Sequence, residues 1–253
     1  MTAPALWRVE EAGLNALQTQ RQLFYDGWLL RVSPGSARRA RSVNGHFGST
    51  LPLDAKIDYC EGLYAARGLP TLFRITPFVH PANLVDVLGA RGYVAFDPTL
   101  VQVADLTRPP AISIDPDIEL STPPVSEFVD AVADLRASTP TQRAAHRERL
   151  GSTPLTVRSV LATRKGQVIG CGQVALEHGL AGIYDMITAP AERGRGVATQ
   201  IVTELLTWAW NHGAAHTYLQ VDAANLPALA CYRKFGFATA YTYYYCARRD
   251  ECQ

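Results

Sequence analysis

The segment Ile187-Thr188-Ala189-Pro190-Ala191-Glu192-Arg193-Gly194-Arg195-Gly196-Val197-Ala198 concentrates the chemistry of this 253-residue chain. Gly194 and Gly196 let the backbone approach a ligand closely. An apolar periodicity of helical type begins at Val197. The first turn of such a helix has N–H groups with no intrahelical acceptor and carries the positive end of the helix dipole. Together these features make a cradle for a pyrophosphate, with Arg193 and Arg195 able to add charge. No Lys-Ser/Thr follows, so this is not a Walker loop, and the spacing is not the GxGxxG of a dinucleotide fingerprint. A glycine-rich helix cap with no ligand would use the same residues. His212 and His216 have a helical metal-ligand spacing, but Gly213 between them is a natural helix stop, so no metal site is expected.

The elements that position this loop follow from pattern. Asp117–Ser121 reads as a strand and Ser126–Leu135 as a helix, with Phe128, Val129, Val132 and Leu135 at helical spacing. The polar, Arg-rich stretch Arg136–Gly151 reads as a short helix and loop. Thr156–Thr163 and Gln167–Glu177 flank Arg164-Lys165-Gly166 as a hairpin. Gly182–Thr188 is a strand, about Gly196 to Asn211 a long helix, and Thr217–Val221 another strand. A helix then starts after Asn225, with Pro227 in its tolerated first turn. It ends near Gly236 and is followed by an aromatic strand, Thr239–Cys246.

Composition excludes several classes. Lys plus Arg is 24 and Asp plus Glu is 23, a formal net charge of +1, so the basic surplus of a non-specific phosphate binder is missing and no nucleic-acid partner is expected. An apolar content of 47% argues against disorder. No run approaches the ~18 apolar residues of a membrane span, and the N-terminus lacks a basic-then-apolar signal, so the expected location is cytoplasmic, away from membranes. Five cysteines without a CxxC pair suit reduced, mostly buried thiols.

Five of the 16 prolines, Pro109, Pro110, Pro116, Pro123 and Pro124, mark a linker or domain edge. The expected domains are residues 1–116 and 117–253. In the first, Gly27–Val32 and Ala37–Val43 read as strands about Ser33-Pro34-Gly35. Asp54 caps a helix to about Arg67. Thr71–Thr76 is a strand, Pro81–Gly89 a helix, and Gly92–Phe96 and Leu100–Ala104 are strands. Leu72–Tyr93 and Tyr218–Phe237 share a rhythm of strand, proline-containing turn, helix and an aromatic-flanked glycine. This suggests two copies of one fold; two generic αβ units would give the same pattern.

Arg193-Gly194-Arg195-Gly196-Val197-Ala198 resembles the cofactor loop of the GNAT superfamily of acetyl-CoA-dependent N-acetyltransferases, whose pattern is Arg/Gln-x-x-Gly-x-Gly/Ala. About thirty residues on, Leu219-x-Val221, Asn225-x-x-Ala228, Tyr232 and Gly236-Phe237 are similar to the family's second cofactor motif. The resemblance covers roughly residues 117 to 246. It implies a mixed-sheet α/β fold of the GNAT type, with acetyl-CoA as cosubstrate and no metal. The pyrophosphate is then expected on backbone amides from Arg193 through Gly194, Arg195, Gly196, Val197 and Ala198 to Thr199. The pantetheine arm is expected beside Met186, Ile187 and Thr188, Asn225 is expected to touch that arm, and Tyr232 takes the position of the general acid that protonates the CoA thiolate.

Direct attack of an amine on a thioester needs a deprotonated amine, an oxyanion donor and a proton for sulfur. The Met186–Thr188 strand offers a backbone N–H for the oxyanion. Asp185 is the leading base candidate, with a sheet-edge carboxylate paired to an Arg as its alternative; Glu177 and Asp222 follow. Gln220 shares a strand face with Tyr218 and Asp222 and lines the substrate side or bridges strands. A covalent acyl-cysteine at Cys171 or Cys231 is disfavoured, because no His is placed by sequence to activate either one.

Residues 1–116 hold no Arg-x-x-Gly-x-Gly, and the helix matching the cofactor helix opens Leu51-Pro52-Leu53-Asp54, so this part resembles a degenerate copy that no longer binds CoA. Arg31, Arg41, Asn44 and Arg74 either present charge to a carboxylate-bearing acceptor or form a solvated hairpin face. The expected activity is acetyl transfer from acetyl-CoA to a small-molecule or peptide amine, against the alternative of a CoA-binding or interaction module that does not turn over. Nothing in the sequence excludes a homodimer.

Overall fold

Asp26 and Gly27 both take positive φ, 42° and 82°, the pair required by a two-residue type I′ turn. They close a hairpin in which Tyr25 faces Trp28. The antiparallel pair expected about Ser33-Pro34-Gly35 follows it, Trp28 facing Gly45 and Leu30 facing Val43, but its second strand is only Val43–Gly45, and Arg38–Ala40 is a 3-10 turn rather than part of a strand. The computed structural model describes residues 3–35, 37–112 and 115–252.

In chain order the elements are α1 (Ala3–Ala16), β1 (Gln22–Tyr25), β2 (Trp28–Arg31), β3 (Val43–Gly45), α2 (Leu53–Ala65), β4 (Phe73–Ile75), α3 (Leu84–Ala90) and β5 (Tyr93–Asp105). Then follow β6 (Glu119–Ser121), α4 (Val125–Arg136), α5 (Pro140–Ser152), β7 (Thr156–Arg164), β8 (Gln167–Glu177) and β9 (Leu180–Thr188). The chain closes with α6 (Val197–Asn211), β10 (His216–Asp222), α7 (Leu226–Arg233) and β11 (Ala238–Arg248). The mixed α/β class is as expected. Three local differences have clear causes. Asp97, at φ 54°, kinks one continuous β5 where two strands were expected. The Arg-rich stretch forms a full helix, α5, because Thr139 and Gln142 make a reciprocal capping box at its start. Helix α1 had no clear signal and was not anticipated.

By compactness the chain forms two units interleaved in sequence. One comprises Met1–Ala16 and Val101–Ala240, the other Leu17–Leu100 and Tyr241–Gln253. β5 and β11 each begin in one unit and end in the other, so a single cut cannot separate them.

In the larger unit the strand order is β5-β10-β9-β8-β7-β6. The β7–β8–β9 meander is antiparallel, and β10 runs parallel to β9 across helix α6. Successive β8 residues face opposite sides of the sheet. Cys171 lies in a core with Phe128, Val129, Val132 and Leu150 from α4 and α5. Gly170 and Gly172 face α6: a Cβ on either would come within 2.8 Å of Val197 or 2.6 Å of Ile201. Glycine here lets α6 press onto the sheet. Phe128, Val129 and Ile201 are each fully buried, worth about 1.5–3 kcal/mol apiece.

In the smaller unit the order is β1-β2-β3-β4-β11, with β3 and β4 parallel across α2. Trp28, Leu30, Val43, Ile57, Tyr64 and Phe73 form its core. The opposite sheet face carries Arg31, Asn44 and Arg74. All three are buried, so this is neither a solvated face nor an exposed acceptor surface. Asn44 donates to the carbonyls of Leu29 and Ser42, and Arg74 stacks 3.8 Å over the Tyr243 ring.

Candidate active site

The parallel ladder between β9 and β10 runs from Leu180/His216 to Ile183/Leu219 and stops. Beyond it, β9 continues to Thr188 and β10 to Asp222, so facing backbone edges open into a wedge. The Tyr184 and Tyr218 hydroxyls, 2.8 Å apart, bridge the two strands at its closed end. Gly182 makes room for them, since a Cβ there would lie 2.5 Å from the Tyr218 ring.

On its other edge β9 carries a bulge. Cys171 pairs with Ile187 and Gln173 with Tyr184, so Asp185 and Met186 together oppose the single residue Gly172. Asp185 adopts φ 50°. A bulge takes one residue's backbone groups out of the ladder and sharpens the twist, and this one lies where the wedge opens. It brings Met186, Ile187 and Thr188 to a free strand edge, as expected for a segment that adds a ligand like an extra strand. Met186 turns its sulfur toward Gly172 and α6.

The loop after β9 makes a 3-10 turn at Pro190–Glu192. Glu192 is held by the Arg164 guanidinium, which also reaches Asp115 at 3.0 Å, and Arg195 approaches Glu192 at 3.8 Å. Gly194 and Gly196 then take φ 76° and 83°, conformations strained for any residue with a Cβ. A Cβ on either glycine would meet nothing within 4 Å, so the space above the loop is open. Gly196 is the N-cap of α6 and no side chain caps that end. The N–H groups of Val197, Ala198 and Thr199 therefore start the helix beside open space, which fits an anionic group at this place. Val197 is buried against Gly170 and anchors the helix end. Arg193 and Arg195 border the same turn. The Arg164–Glu192 anchor was missed in the sequence because its partners are 28 residues apart.

Asn225 uses its side-chain oxygen to cap α7, accepting from the Ala228 N–H at 3.2 Å. The Cys231 thiol lies 3.5 Å from the Thr199 hydroxyl, joining α7 to the first turn of α6. Tyr232 is 8% exposed and sits edge-on to Phe237 at 5.9 Å. Burial raises its pKa, and the Cys231 thiol adds to this, so the phenol stays protonated at neutral pH. Cys171 is fully buried, its thiol pushed up to about 12 by burial, which makes it a poor nucleophile.

Of the two expectations for Asp185, the structure holds the carboxylate paired to Arg. Asp185, its side chain only 12% exposed, is contacted by Arg136 at 3.1 Å, Arg149 at 3.2 Å and His146 at 3.1 Å. Burial alone would raise its pKa, but the adjacent His146 and the Arg149 and Arg136 charges outweigh it and hold the carboxyl well below the usual range. Such a carboxylate is a weak proton acceptor. Glu177 pairs with Leu180 at the far end of β9 and accepts from Asn15, remote from the wedge. Asp222 is at the open end of β10, exposed, and accepts from the Ala224 N–H at 2.8 Å.

Residues 127–237 match the family described as Acetyltransferase (GNAT). Residues 127–237 form a GNAT-family acetyltransferase domain. The chain is 27% identical over 227 residues to the uncharacterized N-acetyltransferase YobR of Bacillus subtilis, covering 88% of this chain and 90% of that one. A GCN5-related N-acetyltransferase from Kribbella flavida shares the fold at a TM-score of 0.72 and 14% identity, over 96% of this chain and 95% of its own. A tandem GNAT protein from the clavulanic acid biosynthesis pathway superposes at a TM-score of 0.60 and 15% identity, over 76% of this chain and 68% of its own. None of the described helices is long and apolar enough to cross a membrane.

In the smaller unit, the turn before α2 takes the place that the glycine loop has before α6. There the Asp26 carboxylate accepts from the Thr50 N–H at 2.9 Å, the Leu51 N–H at 2.9 Å and the Thr50 hydroxyl at 2.8 Å. Lys56, fully buried on α2, reaches the same carboxylate at 3.4 Å and lies 4.0 Å over the Trp28 ring. The donors of Thr50 and Leu51 hold the Asp26 carboxyl far below its ordinary range.

Proposed function

We propose that the larger unit transfers an acetyl group from acetyl-CoA to an amine by direct attack. The observation that carries this reading is the conjunction of an open wedge at Tyr184–Thr188 with an uncapped, glycine-lined helix start at Gly194–Thr199, one following the other along the chain. The N–H groups of Arg193 to Thr199 hold the pyrophosphate. The free edge of Met186, Ile187 and Thr188 bonds the pantetheine arm, and Asn225 borders it through its uncommitted amide nitrogen. Acetyl-CoA supplies an acyl group activated as a thioester.

At the reacting centre, a backbone N–H released by the bulge stabilises the oxyanion. The Tyr232 hydroxyl donates a proton to the leaving sulfur, and its raised pKa keeps that proton available. With Asp185 held as a fixed anion, the amine's proton passes to solvent in the wedge, with Asp222 the carboxylate at its open end. The inert burial of Cys171 favours direct transfer over an acyl-cysteine.

Residues 1–116 and 117–253 are, in this proposal, two copies of the same fold in chain order, and the first no longer binds CoA. Its support is the shared order of antiparallel strands, helix, parallel strand, helix and long strand in β1–β5 and β7–β11. The name of the clavulanic acid pathway protein, a tandem GNAT, points the same way.

The test is an amine panel assayed by release of CoA thiol, with acetyl-CoA binding measured in parallel. Turnover that is lost in Gly196→Glu supports the reading. Tight acetyl-CoA binding with no turnover on any amine would favour a non-catalytic CoA-binding module.

A further inference from the structure

We infer that Asp185 is a positioning residue: its carboxylate, clamped between α4 and α5, fixes the β9 bulge whose backbone serves the acyl group. The inference rests on the proposed acetyl transfer for its chemistry but on geometry for its existence. Asp185 is a non-glycine residue at φ 50° in the middle of a strand, a conformation that persists when its surroundings over-determine it. Three groups do so. Arg136 at the end of α4 donates to one carboxylate oxygen, while His146 and Arg149, on one face of α5, approach the other. The backbone of the same residue is also engaged, since the Cys171 thiol donates to the Asp185 carbonyl at 3.4 Å. Arg149 further donates to the Ala16 carbonyl at the end of α1 at 3.3 Å. The clamp thus ties α1, α4, α5 and β8 to one point of β9.

That point is the one where β9 parts from β10. Met186 to Thr188, the residues assigned to the acyl and pantetheine groups, begin at the next position. A free strand edge has no ladder partner to hold its register on that side, so something else must fix where its N–H groups aim. Without the clamp, the extra residue of the bulge can shift along the strand and reverse which side chains face each side of the sheet. The sequence separation between Asp185 and its partners, 36 to 49 residues, means that folding of the α4–α5 pair onto the sheet is what sets the site.

The experiment uses Asp185→Asn, which keeps shape and loses charge, and the milder His146→Gln, which keeps a donor. Hydrogen exchange of a peptide spanning 184–188 needs no turnover; in Asp185→Asn it is expected to speed up at least about tenfold while the β7–β8 hairpin is unchanged. In turnover, kcat is expected to fall by about 100-fold, with KM for acetyl-CoA changed less than about threefold and the shape of the pH–rate profile kept. His146→Gln should show the same pattern at smaller size. Unchanged exchange at 184–188 in both variants overturns the inference. So does a pH–rate profile that loses its acid limb in Asp185→Asn, because that is the mark of a base. If the wild type does not bind acetyl-CoA, the proposed function fails while the exchange result still decides the clamp.

Discussion

Two helix starts in this chain have the same setting and opposite contents. α6 follows a strand whose parallel partner lies beyond the helix, and so does α2. Before α6, two glycines at positive φ leave open space over uncapped N–H groups. Before α2, the loop N–H groups of Thr50 and Leu51, ahead of the Pro52 N-cap, are taken by the Asp26 carboxylate, delivered by the tight β1–β2 turn and neutralised by the buried Lys56. Both helices themselves start without a side-chain cap; the difference lies in the loop amides just ahead of them. The loop before α2 draws on a side chain of its own unit, and the loop before α6 is left open. The lesson is that an anion site is defined as much by what the chain withholds from it as by the donors it presents.

The comparison can be broken at four points. Gly196→Glu puts a carboxylate and a Cβ into the open space before α6; affinity for CoA, read by calorimetry, should fall at least about 100-fold, with no change at the α2 start. Tyr232→Phe removes the proposed proton donor; kcat should drop by about 100-fold or more with little change in KM. Because burial raises the Tyr232 pKa, the wild-type rate should show no tyrosine deprotonation limb below the ordinary phenol pKa of about 10.

Asp26→Asn tests the filled start. A carboxyl whose pKa is depressed in the folded state adds stability above its unfolded pKa, about 4, and loses it as pH falls through the folded value. Chemical denaturation should therefore show the variant less stable than wild type at pH 7, with the gap closing at low pH. An equal gap at both pH values would mean that Asp26 acts through shape alone. Thr50→Ala removes one hydroxyl donor to the same carboxylate and should cost about 1 kcal/mol or less, measured in the same way.

Local pattern made most of the larger unit legible. Gly194 and Gly196, the apolar face of α6 and the turns at Arg164-Lys165-Gly166 and Gly213 are each written in a few adjacent residues. The Asp26-Gly27 turn was equally local; its Asp-Gly pair is the signal that places the first hairpin there. The capping box of α5 was local too, at Thr139 and Gln142. What could not be read was register. The bulge at Asp185 exists only as a mismatch between two strands, and the cage about Asp185 forms only when α4 and α5 dock. That is why sequence left Asp185 open between a base and an Arg-paired carboxylate, and the fold makes it the latter. The exchange of β5 and β11 between units was hidden for the same reason, since each strand by itself looks ordinary.

In the proposed function, the loop before α6 is open to CoA and the loop before α2 is filled from within. Counting the CoA sites tests it most directly, by calorimetric titration of CoA into the wild type and into Gly196→Glu. One site per chain is expected in the wild type and none in the variant. Two sites per chain, or one site that survives Gly196→Glu, would contradict it.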